Sequence, residues 1–144
     1  LALPLLSSYL PAGFASPADD YLEGHLDLNQ HLIRHQAATY FARVRGDSMQ
    51  EAGIQDGDLL IIDRALTPAS GLVVVAVVDG EFTVKRLRLA RGRVWLEPAN
   101  PRYQPQEILP GMNFSVRGVV THVIHSMNTT ASLRAGDGSQ ITAE

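Results

Sequence analysis

Two side chains in the sequence have the chemistry of peptide-bond cleavage if the fold brings them together. One is the hydroxyl of Ser48, in the run Gly46-Asp47-Ser48-Met49. The other is the amine of Lys85, in the run Phe82-Thr83-Val84-Lys85-Arg86-Leu87. A serine hydroxyl is a weak nucleophile until a base takes its proton. Lysine serves as that base only when its amine is neutral. From an ordinary pKa of about 10.4, neutrality at pH 7 costs about 4–5 kcal/mol unless burial lowers the value. A useful Lys85 must therefore point into apolar surroundings. The same residues have a plainer reading, since a Gly-Asp-Ser serine is commonly a turn or cap residue and a strand lysine is commonly solvated. Spacing alone does not decide between them.

The elements around the pair read as β-structure. Tyr40 to Val44 alternates, Gly46 breaks the run, and Ser48 to Ala52 reads as a short helical turn. Asp56-Gly57 is a turn dipeptide leading to the buried-strand run Leu59-Leu60-Ile61-Ile62. After Gly71, the stretch Leu72 to Val78 is largely β-branched and is expected to be buried on both faces. Asp79-Gly80 is the clearest hairpin signal, joining that run to Glu81–Leu89, and Arg91-Gly92 turns the chain into Val94-Trp95-Leu96. A Pro-rich loop spans Pro98 to Pro110. Phe114 to Ile124 is the last strand, where Gly118 marks a bulge or a close backbone approach. On the strand through residue 85, Thr83, Leu87 and Leu89 share the lysine's face, while Arg86 and Arg88 lie opposite. Phe82 and Val84 fall on the arginine side, so this strand is expected to bend or bulge near the lysine.

Residues 1–35 form a distinct opening arm. Pro4, Pro11 and Pro17 argue against a long early helix, and Pro11 to Pro17 has the composition of an exposed, protease-accessible linker. From Ala18 to His35, a short helix is expected, capped by Asp19 or Asp20 with Tyr21, Leu22, Leu26 and Leu28 as its apolar side, and Asp27 to His35 supplies a further turn or two. The apolar run at the start is too short, and lacks the preceding basic residue, for a secretory signal. The chain opens at Leu1 rather than Met, which leaves room for an upstream segment. Residues 36–127 make the main domain, and residues 128–144 read as a mobile tail.

A chain of 144 residues suffices for one substantial core. The net charge of −3 argues against non-specific nucleic-acid binding. With no cysteine, disulfides, thiol catalysis and cysteine-based zinc sites are excluded. No apolar run approaches bilayer length. His31 and His35 have helical i, i+4 spacing but no evident third ligand, and His122 and His125 are an odd number apart on a presumed strand. Neither pair makes a metal site, and no cofactor is called for. The histidines also lack a recognisable setting for a Ser-His-Asp triad. The basic run Lys85 to Arg93 reads as an exposed arginine face on a hairpin.

Three separated motifs occur in an order that resembles the self-cleaving LexA/UmuD family: Val44-Arg45-Gly46-Asp47-Ser48-Met49, Ile54 to Asp63, and Asp79 to Leu87. The stretch Ala12 to Tyr21, with Ala38 to Phe41, is similar to the UmuD branch. The likeness runs from about Leu3 to His125. It implies a mainly β, LexA C-terminal-domain-like peptidase fold with a flexible N-terminal arm. It further implies Ser48 as nucleophile, Lys85 as general base, and self-cleavage between Ala12 and Gly13, the oxyanion held by backbone N–H groups at Ser48 and its neighbour. Implied partners are a second copy of the chain, the RecA–single-stranded-DNA filament that stimulates cleavage, and a Y-family catalytic subunit of a translesion polymerase. The implied location is the cytoplasm, without a membrane and without sequence-specific DNA binding. The alternative is the peptidase half of a LexA-like or phage repressor, which requires an upstream DNA-binding domain; a membrane signal peptidase would require an anchor. Two departures stand out: Leu72 occupies a position where the family often has an acidic residue, and the tail beyond Met127 passes the usual end of the domain.

Overall fold

The sequence's strongest local signals become six of the seven antiparallel strands of the main sheet. The structure, a computed structural model, describes residues 1–7, 9–14 and 22–127. They fall into two units, Leu1–Ala37 and a second from Ala38 onward.

In the first unit, strand β1 (Ala2–Leu6) pairs antiparallel with β2 (Leu22–Asp27), from Ala2 opposite Asp27 to Leu6 opposite Leu22. This corrects the expected helix: Leu22 and Leu26 lie on a strand, and the caps proposed at Asp19 and Asp20, like Tyr21, fall outside the described residues. The apolar spacing there fits either conformation, but Gly24 takes a φ of 147°, which a helix does not use. A single helical turn, α1 (Leu28–Leu32), does follow, capped by Asp27, whose carboxylate accepts from the Asn29 N–H at 3.0 Å. The other Asp27 oxygen meets the Leu1 amino group at 3.0 Å. None of this unit's described residues is buried.

The second unit carries the core. Strands β3 (Thr39–Arg43), β4 (Leu59–Asp63), β5 (Val73–Val78), β6 (Glu81–Ala90), β7 (Arg93–Glu97), β8 (Gln106–Ile108) and β9 (Phe114–Ile124) form one sheet in the order β3-β4-β9-β5-β6-β7-β8. Alternation along β5 sends Val74, Ala76 and Val78 into one apolar cluster with Leu87, Leu96 and Val119, and Val75 into another with Met49, Ile54, Leu60 and Ile62. The β-branched run is thus buried on both faces, as read. Asp79 and Gly80 (φ 48° and 85°) and Arg91 and Gly92 (φ 53° and 74°) form the two hairpin turns with the left-handed backbone such turns require. The Pro-rich loop contains β8, which the sequence reading missed because three residues show no alternation.

β6 runs in unbroken register against β5, from Arg86 opposite Val73 to Glu81 opposite Val78, so the expected bend at the lysine is absent. The irregularity sits on β9, where Gly118 opposes Val75, Val116 opposes Ala76, and Arg117 is the extra residue. Gly118 has a φ of 145°, and a Cβ there would lie 2.5 Å from Cγ2 of the fully buried Ile62. Gly118→Ala is therefore expected to destabilise the domain by about 2–3 kcal/mol, read from the midpoint of urea unfolding. The tail beyond Met127 lies outside the described residues. Among the described residues, no helix is long and apolar enough to cross a membrane.

Candidate active site

The turn bearing Ser48 is built by tying the chain after β3 to the chain before β4. Val44 N–H donates to the Asp58 carbonyl at 2.9 Å, and Gly57 N–H donates back to the Val44 carbonyl at 2.8 Å. One step on, Gly46 N–H donates to the Asp56 carboxylate at 2.7 Å. Gly46 has a φ of 98°, the left-handed conformation that swings the backbone into the turn. Asp58 is buried, accepts from Gln55 N–H at 2.8 Å, and lies 2.6 Å from Nδ1 of His125. After Ser48 the chain enters a 3-10 turn, Gln50–Ala52, and the buried side chain of Met49 roots it in the core.

Lys85 comes from the other end of the sheet. β3 and β6 are separated by three strands, and a flat sheet would hold them roughly 19 Å apart. Instead, the sheet curls so that both border one cleft of about 450 Å³. Tyr40, Ala42 and Val44 line it from β3 and the residue beyond, Val75 from β5, and Phe82 to Lys85 from β6. Gly46, Ser48 and Met49 complete the wall, with Arg43 and Arg45 also on the lining.

Lys85 is half-buried, and its Nζ donates to Thr83 Oγ1 at 2.8 Å. Thr83 is the i−2 neighbour that alternation places on the same face. Burial pushes the Lys85 amine below the ordinary lysine value. Of the leucines read on that face, Leu87 is buried and Leu89 is 47% exposed. Ser48 and Lys85 thus border the same cleft without a hydrogen bond to each other. The lysine's bond goes to Thr83, and Ser48 Oγ makes none among the described residues. A resting hydroxyl and amine commonly close only when substrate arrives.

Ala12 and Gly13 lie in the first unit, between β1 and residue 15. Pro11 to Phe14 is exposed throughout, and Phe14 is 98% exposed. Nothing lies within 4 Å of where a Cβ on Gly13 would stand. The bond between them is exposed.

Other charged groups have plain structural work. Arg88 Nε meets Glu97 at 2.6 Å with its guanidinium over the Trp95 ring, and Arg93 Nε meets Glu107 at 3.5 Å. His122 Nδ1 lies 3.0 Å from Thr121 Oγ1, away from the partner His125 has in Asp58. No cluster of three or more metal-ligating side chains occurs among the described residues. Sequence reasoning found Thr83 as a neighbour but not as the lysine's partner. It missed Asp56 and Asp58, whose roles depend on the β3–β4 pairing.

Comparison with known proteins adds a family. Residues 4–121 match the Peptidase S24-like family. The chain is 52% identical to Protein ImpA of Salmonella typhimurium over 122 residues, covering 85% of this chain and 83% of that protein. It is 44% identical to Protein MucA of Escherichia coli over 122 residues, 84% of this chain and 83% of that protein. It is 39% identical to the LexA repressor of Stenotrophomonas maltophilia (strain R551-3) over 122 residues, 83% of this chain but 56% of the repressor. The chain therefore belongs to the Peptidase S24-like family as a UmuD-like member of the LexA/UmuD group, the serine peptidases of the SOS response and its mutagenesis.

Proposed function

We propose that this protein cuts its own N-terminal arm between Ala12 and Gly13, with Ser48 as nucleophile and Lys85 as general base. The observation that carries the proposal is the half-buried amine of Lys85, its pKa lowered by burial, bordering the same cleft as the Ser48 hydroxyl. Ser48 Oγ attacks the Ala12 carbonyl carbon while Lys85 Nζ takes its proton. As the tetrahedral intermediate collapses, the Ala12–Gly13 bond breaks and Lys85 returns the proton to the Gly13 nitrogen. Water, deprotonated in turn by Lys85, releases the acyl group from Ser48. Thr83 steadies the amine throughout. Small side chains on both sides of the bond let the arm's backbone enter the cleft.

The lysine also sets the speed. Until the arm docks and displaces water, the amine stays largely charged, so unaided cleavage is slow. Stimulation by a RecA–single-stranded-DNA filament, which favours the docked arm, would make cutting a report of DNA damage. The trimmed protein, as a homodimer in the cytoplasm, then serves as the accessory subunit of a Y-family translesion polymerase. Identity of 52% to ImpA and 44% to MucA, against 39% to the LexA repressor, supports this reading over the peptidase half of a repressor. The test is mass spectrometry of the purified protein after incubation at alkaline pH. The expected result is loss of Leu1 to Ala12 as one piece; a cut elsewhere, or none, overturns the assignment.

A further inference from the structure

The loop after β7 grips the nucleophile turn through residues that do not line the cleft. Asn100 is 8% exposed, and its Nδ2 donates to the Asp47 carbonyl at 2.9 Å. Its Oδ1 accepts from Arg102 N–H at 3.0 Å, which fixes the amide's orientation. Next to it, Ala99 N–H donates to the Ser48 carbonyl at 2.8 Å, and the Ala99 carbonyl accepts from Glu51 N–H at 2.8 Å. The Asp47 carboxylate is held by the Tyr103 hydroxyl at 2.5 Å, with Arg102 Nη1 at 3.7 Å. Ser48 and Gly46 line the cleft, whereas Asp47 and Asn100 do not.

We infer that Asn100 is a positioning residue that orients the Ser48 N–H as an oxyanion donor. The peptide linking Asp47 and Ser48 is trans and planar, so its C=O and N–H point in opposite directions. Binding the carbonyl to Asn100, outside the cleft, turns the N–H of Ser48 the other way. That N–H makes no hydrogen bond to another described residue, so it remains available to the oxygen of the tetrahedral intermediate. The buried amide thus acts on the transition state through a rigid plane, without touching substrate. The inference rests on the Ser48–Lys85 reading of the preceding section.

The chain contains no cysteine, which permits a clean test. In the Ser48→Cys protein, iodoacetamide reacts by far the fastest at the introduced thiol. Sulfur attacks the CH2 carbon, iodide leaves, and no oxyanion forms. Alkylation therefore reports the nucleophile's position and its base, whereas self-cleavage of the Ser48 protein also needs the oxyanion donor. Asn100→Ala is expected to slow self-cleavage at least about 10-fold, with the midpoint of its pH–rate profile unchanged. In the Ser48→Cys background, the same change is expected to alter the alkylation rate by less than about 3-fold, which also shows the turn is folded. Cleavage within about 3-fold of wild type, or alkylation falling in parallel with cleavage, would overturn the assignment. Failure of the underlying reading looks different: Ser48→Ala would lose its arm at the wild-type rate.

Discussion

Ser48→Ala is expected to leave the arm whole under conditions that cut the wild-type protein to completion, a loss of at least about 10⁴-fold in rate. The change is chemically narrow. Ser48 is half-buried, and its hydroxyl makes no hydrogen bond among the described residues, so alanine removes neither a packing contact of size nor a bond. Thermal unfolding of the variant should lie within about 0.5 kcal/mol of wild type. Intact mass read over a time course at alkaline pH, alongside a melting curve, separates lost chemistry from lost fold. Cleavage surviving in a folded variant would remove Ser48 from the mechanism.

Lys85→Met should have the second large effect, about 10²–10⁴-fold on cleavage, because it deletes the proton acceptor while keeping the stem's volume. The pH dependence of the wild type follows from the direction of the lysine's shift. Burial lowers the pKa, and only the neutral amine accepts a proton. The rate should climb about 10-fold per pH unit below the lowered pKa and level off above it. Stability carries the same signature. Where the folded pKa lies below the unfolded one, the unfolded chain binds more protons, so stability rises with pH from the lowered value up to about 10.4. Lys85→Met removes that dependence. The variant should melt higher than wild type at neutral pH, the gap closing as pH rises, while cleavage is lost at every pH. A flat wild-type profile would argue against lysine as the base.

The parts of this account legible in the sequence are those governed by local chemistry. Asp79-Gly80 announces its hairpin because few residues besides Asp, Asn and Gly accept a positive φ at the first central position, whereas Arg91-Gly92 is announced by its glycine alone. The run Leu72 to Val78 announces a strand buried on both faces, of which Val73–Val78 is the strand and Leu72 stays exposed, and Gly118 announces the bulge in β9. Where two conformations satisfy one pattern, sequence reading failed. Leu22, Leu26 and Leu28 suit a helix face, yet pairing with β1 takes Leu22 and Leu26 into a strand. β6 keeps its register without a bend because its two faces pack against different apolar clusters. Val84 belongs with Met49 and Ile54, and Leu87 with Val74 and Leu96, so neither face of β6 is purely polar.

At the candidate site, the proposed Ser48–Lys85 pair is legible in the sequence and its scaffold is not. Gly46-Asp47-Ser48 and Lys85 carry the motif. Asn100 meets Asp47 across 53 positions of chain, and His125 meets Asp58 across 67. No periodicity links residues so distant; only the sheet order does, by folding the loop after β7 and the end of β9 back onto the turn.

Lys85 is the chain's one lysine, so the titration on which the account depends is open to direct observation. Protein labelled with 13C at lysine gives a single side-chain Cε resonance, which can be followed against pH in the uncleaved Ser48→Ala form. The account predicts a midpoint below the ordinary lysine value of about 10.4. A midpoint at or above it would mean that the amine stays as charged as any solvated lysine, and Lys85 would then not be the base.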